Sequence, residues 1–141
     1  MEKGSGLSAG QVQALIRQGV PMAEDLDLRI DVLSAREALA RVPFNERLVR
    51  PGGTLSGPVI MALADAAMYA VVLGALGKVE MAVTSNLNIN FLARPAPQDL
   101  LARARLLRLS RRQAVCEVGL FGVGNPDQLV AHVTGTYALP L

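Results

Sequence analysis

Two hydrophobic rhythms divide the chain. Residues 57–77 read GPVIMALADAAMYAVVLGALG, an apolar run long enough for about six helical turns, whereas beyond residue 80 the apolar period falls from 3.6 to 2. The run predicts one central helix over about 57–77. Ser56 or Gly57 is its cap, Pro58 sits in its first turn, and Gly74 and Gly77 end it. Ala62, Ala66, Ala70 and Gly74 fall four apart and predict a small-residue stripe on which a sheet can sit closely.

Upstream, SAGQVQALIRQG predicts a short amphipathic helix over about 7–19. Ser8 caps it, Gly19 stops it before Pro21, and it packs on the outside of the domain. Leu28, Ile30 and Val32 alternate with Arg29, Asp31 and Leu33 and predict a strand, while REALARVPF is left open between helix and strand because Ala, Arg and Glu favour helix. Residues 45–54 form a loop marked by Pro51, Gly52 and Gly53.

Downstream, AVTSNLNINFL predicts a strand with Val83, Ser85, Leu87, Ile89 and Phe91 on one side and Thr84, Asn86, Asn88 and Asn90 on a polar side. DLLARARLLRL, the turn Ser110-Arg111-Arg112 and QAVCEVGLFG predict a hairpin, and QLVAHVTGTYAL a last strand. Strands with one segregated helix place the 141 residues in a single α+β domain.

Composition narrows the partners. Hydrophobic residues make up 51% of the chain, which supplies a core, but aromatics only 4%, so that core is built from Ala, Val, Leu and Ile. A net charge of +2 and scarce aromatics argue against nucleic acid and leave anionic small molecules open. Cys116 is the one cysteine, which excludes an internal disulfide and favours a cytoplasmic setting. It reads as a buried thiol rather than a nucleophile, and His132, the one histidine, as a residue of the sheet surface. The segment MEKGSGLSAG lacks the apolar stretch of a signal peptide. Residues 58–77 have the length of a membrane span, but central Asp65, the Ala and Gly content and the absence of flanking anchors favour a helix buried in protein. No His/Cys spacing points to a metal, and GTLSG fails the spacing of a nucleophile elbow.

The L-A-D-A-A-M helix, the N-I-N-F-L-A-R-P strand end, Asp99 at the start of the next strand and the terminal T-G-T-Y together resemble the hot-dog thioesterases of the PaaI-like group, from about Leu48 to Leu139. The resemblance implies a hot-dog fold, an antiparallel sheet around the long helix, with REALARVPF a strand. It implies homodimers, often paired into tetramers, with active sites at the subunit interface, hydrolysis of acyl-coenzyme A thioesters, and no cofactor beyond the coenzyme A of the substrate. The family's catalytic carboxylate falls on Asp65, as general base or as nucleophile, and a buried carboxylate needs such a reason. The alternative is an Asp65 that only bonds its neighbours.

The chain departs from the family pattern at two places. The usual His-Gly-Gly is Ser56-Gly57-Pro58, so Ser56 stands at the histidine, as replacement or as helix cap. Gly57 keeps the backbone N–H that polarises the thioester oxygen, backed by the helix dipole. An asparagine common six residues earlier is Arg50, which would pair with Asp65 or bind an anionic substrate group. Thr84 matches the family's strand hydroxyl, on the asparagine-bearing side.

The acyl chain is expected beside Met61, Met68 and Tyr69. Arg111 and Arg112, in a run with Arg103, Arg105 and Arg108, are candidates for the coenzyme A phosphates, or else form a solvated strand face. The reading is an acyl-CoA thioesterase. A non-catalytic acyl-CoA-binding or structural protein, and an acyl thioester dehydratase, are the alternatives.

Overall fold

The computed structural model describes residues 4–140. Three α-helices and six strands follow in the order α1 (Ala9–Gly19), α2 (Pro21–Asp25), β1 (Arg29–Leu33), β2 (Glu37–Val42), α3 (Gly57–Leu76), β3 (Val83–Phe91), β4 (Leu100–Leu109), β5 (Gln113–Gly122) and β6 (Leu129–Ala138), with a 3-10 turn at Glu46–Leu48. The strands form one antiparallel sheet in the order β1-β2-β4-β5-β6-β3. α3 packs against it, chiefly on β2, β4 and β5. This is the hot-dog arrangement, in the α+β class, and REALARVPF holds the strand β2.

α3 is apolar on every side because it is covered on two. The sheet closes one face, and α1, with Val12 and Ile16 fully buried, packs on the helix from elsewhere. Leu63, Met68 and Leu73 lose all solvent contact, each stabilising the fold by about 1.5–3 kcal/mol. A helix of membrane-spanning length is thus the core of a folded domain.

α1 begins at its expected cap: Ser8 accepts the Gln11 N–H at 3.1 Å and the Gln11 side chain accepts the Ser8 N–H at 2.8 Å. The chain does not simply stop at Gly19. Pro21 opens the short α2, and Arg17 holds the pair together by bonding Glu24 at 2.6 Å and Asp27 at 2.8 Å.

Two bulges overturn faces read from strict alternation. In β1 the register slips between Ile30 and Val32, so Val32 is 56% exposed and Leu33 turns inward against Gly74. In β3 it slips between Thr84 and Asn86. Thr84 therefore shares a face with Leu87 and the helix-facing Tyr137, not with Asn86, Asn88 and Asn90. The small-residue stripe also faces partly otherwise than expected: Ala62 and Ala66 line a cavity shared with α1 and α2, while Gly74 lies close against Leu33 of β1.

Candidate functional site

Asp65 lies on the face of α3 formed by Ala62, Ala66 and Tyr69, and it is only half-buried. It is not sealed among alanines and methionines as its neighbours in sequence suggest. Two hydroxyls fix it. Thr84 Oγ1 donates to Asp65 Oδ1 at 2.7 Å, and the Tyr137 hydroxyl donates to the same oxygen at 2.7 Å and to the Asp65 carbonyl at 3.1 Å. Oδ2 has no hydrogen-bond partner among the described residues.

The β3 bulge brings Thr84 round to this point, and Tyr137 arrives from the inner face of β6, on the same side as Ala131, Val133 and Gly135. Burial first, then the Asp65 charge, pushes the Tyr137 phenol well above its ordinary range, so it remains a donor at neutral pH. Its ring stacks on Tyr69, with centroids 5.8 Å apart and planes within 7°. Tyr69 is pushed up as well, by burial ahead of the Glu80 charge, and donates to the Glu80 carbonyl at 3.1 Å.

The carboxylate opens onto a cavity of about 380 Å³. Its floor is the α3 face just described. One wall is Thr84, Tyr137 and the start of β3, and the other is aliphatic, from α1, α2 and Leu28.

The remaining candidate residues stand apart from this cluster within one chain. Ser56 occupies the N-cap of α3, yet its hydroxyl makes no capping bond. Gly57 heads the helix, where its N–H has no intrahelical acceptor, and lies against Phe91 at the far end of β3. Eight residues of helix put it about 12 Å from Asp65 along the axis. Arg50 is exposed in its loop and does not pair with Asp65, whose partners are Thr84 and Tyr137. Met61 is 42% exposed but outside the cavity. Met68 is wholly buried, directed at Gly135 under the sheet, and does not line the cavity either.

The arginine run is divided. Arg103 lies over the Phe121 ring at 5.3 Å and Arg105 pairs with Glu117 at 2.8 Å, both on the outer sheet face. Arg111 and Arg112 are exposed at the β4–β5 turn without a carboxylate partner among the described residues. That turn stands at the Asp65 end of the sheet, because Ala114 pairs with Tyr137. Cys116 faces the core, its thiol pushed up to about 12 by burial, and is no nucleophile in this state.

Tyr137 and the α1–α2 wall are missing from the sequence-derived set. Tyr137 carried a signal, since period 2 puts it opposite the His132 face. The wall carried none, because it depends on where α1 docks.

The family described as the thioesterase superfamily matches residues 52–125. A protein of Saccharolobus solfataricus with a provisional esterase name is 30% identical over 134 residues, spanning 94% of this chain and 86% of its own. The crystal structure of a protein from Silicibacter sp. TM1040, provisionally described as a thioesterase, is 39% identical with a TM-score of 0.87, covering 96% of this chain and 94% of its own. A variant of the phenylacetic acid degradation protein PaaI from Thermus thermophilus is 28% identical with a TM-score of 0.73, covering 84% of this chain and 97% of its own. The fold and the matched segment agree: the chain belongs to the thioesterase superfamily, and its likeness runs to the PaaI-like hot-dog proteins.

Proposed function

We propose that this protein hydrolyses acyl-CoA thioesters and that Asp65 activates the water. The observation that carries this is the carboxylate itself, with Oδ1 held by two hydroxyls and Oδ2 without a partner among the described residues, at the edge of a largely apolar cavity. A base needs that combination of fixed direction and an unused lone pair. Oδ2 takes a proton from water as the oxygen attacks the thioester carbon. The C–S bond then breaks, and the proton passes to the departing sulfur, leaving a free acid and coenzyme A.

The oxyanion needs a donor, and the Gly57 N–H of the same chain is too distant. A second copy supplies one. β3 is an edge strand of nine residues, with Thr84 near its start and Phe91, against Gly57, at its end. Antiparallel pairing of two β3 edges sets the start of one beside the end of the other. The Gly57 of one copy, with Ser56 next to it, then approaches the Asp65 of its partner. Arg111 and Arg112, with Arg50 from the loop, are the groups proposed to meet the phosphates of coenzyme A.

The test is thiol release from short, medium, long and aryl acyl-CoAs, with Asp65→Asn beside the wild type. Asp65→Asn should lower turnover about 100- to 10,000-fold, as expected for a lost general base, and leave the thermal midpoint close to wild type. Equal turnover in the two proteins would refute the role of Asp65. The Ser56 and Arg50 substitutions favour a second reading, a protein that binds acyl-CoA without cleaving it. Tight calorimetric binding with no thiol release on any substrate would establish that instead.

A further inference from the structure

We infer that the acyl group is an unsubstituted aliphatic chain of medium length, and that the α1–α2 unit, through Gly19 and Met22, sets the length accepted. The inference rests on the acyl-CoA reading of the Asp65 site. It assigns the acyl end of the substrate to a different place from the Met61–Met68 side of α3.

Cavity and carboxylate are continuous. Asp65, Thr84 and Tyr137 line the same space as Leu15, Gly19 and Met22, so a thioester carbonyl held at Asp65 has this cavity within reach of its acyl carbon. Ala62 and Ala66 keep the α3 floor low. At about 30 Å³ for each atom-sized unit, close to the volume of one water in the liquid, 380 Å³ accommodates roughly a dozen chain atoms. The α1–α2 wall offers aliphatic side chains and no polar one. A hydroxyl or carboxylate on the acyl tail gains no partner from that wall and gives up hydration against it, the polar lining (Tyr69, Glu80, Asp65 and Thr84) lying on α3 and at or just before the start of β3, which disfavours it.

The wall is fixed. Arg17 ties α1 to Glu24, to Asp27 and to the Leu28 carbonyl at 3.1 Å, and the Gln13 side chain accepts the Ile30 N–H at 2.9 Å. α1 is thereby bound to α2 and to β1, and the length limit is sharp. Gly19 lines the cavity, a Cβ built there meets nothing within 4 Å, and its φ is ordinary. A large side chain at this position has room in the fold and can reach into the cavity that the residue lines.

The experiment uses S-alkyl-CoA thioethers from butyl to tetradecyl, which bind but are not cleaved, titrated by calorimetry into the full chain. Wild-type affinity should climb up to about fourfold per added methylene, the equivalent of about 0.8 kcal/mol of burial, and stop climbing near ten to twelve carbons. The decyl-to-butyl affinity ratio should exceed 30. Gly19→Phe should bring that ratio within threefold of one, while Gly19→Ala keeps it and Met22→Ala moves the limit to longer chains. A flat wild-type series, or a Gly19→Phe ratio equal to wild type in a folded protein, overturns the inference. A length limit that moves with residue 19, without thiol release from the matching thioesters, supports the pocket and counts against hydrolysis. Thiol release with a flat series does the reverse.

Discussion

Replacing Tyr137 by phenylalanine separates the orientation of Asp65 from everything else the residue does. The substitution removes one oxygen, and with it the 2.7 Å bond to Oδ1 and the 3.1 Å bond to the Asp65 carbonyl. The ring remains, and so does its stack on Tyr69. A hydrogen bond to a charged group contributes about 1.5–3 kcal/mol, and about 1.4 kcal/mol is tenfold in rate. If that restraint sets the direction of Oδ2, kcat should fall roughly 10- to 100-fold. Stability should fall by about 1.5–3 kcal/mol, or about 5–10 °C in thermal midpoint for a chain of this size. KM should move less than threefold, because the hydroxyl is directed at Asp65 and not at the acyl wall. The phenol is pushed up and stays protonated, so the loss should be the same from about pH 6 to about pH 9. The assay is thiol release with kcat and KM resolved, beside a melting curve. A folded Tyr137→Phe protein with kcat within twofold of wild type would refute the argument that the two hydroxyls hold the base.

Thr84→Val should reduce kcat by a similar factor, and combining it with Tyr137→Phe should cost less than the product of the two, since both bonds end on Oδ1; fully multiplicative losses in a double-mutant cycle would mean the two act independently. Asp99 accepts the Phe44 N–H at 2.8 Å and pairs with Arg41 at 2.8 Å, joining the end of β2 to the start of β4, so Asp99→Asn should lower stability by about 1–2 kcal/mol in a denaturant titration. The Phe44 N–H first, with Arg41, holds that carboxyl below its ordinary value, so its contribution is complete above the usual carboxylate range and is lost as pH falls through the lowered value. The gap between wild type and Asp99→Asn should therefore close in acid, and a gap that widens there would contradict the assignment. Cys116, its thiol pushed up to about 12, should resist a disulfide reagent in the native state and react at once in denaturant, whereas rapid native labelling would mean β5 opens easily.

Much of this protein was written in its pattern. The apolar run 57–77 made a core helix because so long an apolar surface must be covered by the rest of the fold, and Pro58 in its first turn and Gly77 at its end mark its bounds, although the Ser56 hydroxyl makes no capping bond. Period-2 segments gave β3 to β6, and Asp65 stood out as the one charge in α3. The two bulges were different. A bulge is an extra residue accommodated by a partner strand, so alternation within β1 or β3 cannot reveal it, and both times it reversed the face of the residues beyond. That reversal is what brings Thr84 to Asp65. The cavity too belongs to tertiary structure, because Leu15, Gly19 and Met22 are more than forty residues from Asp65 in the chain and meet it only when α1 docks on α3. Periodicity and caps depend on neighbours along the chain and could be read from it; the partners of a carboxylate and the walls of a pocket depend on contacts between distant segments, and only the packed fold decided those.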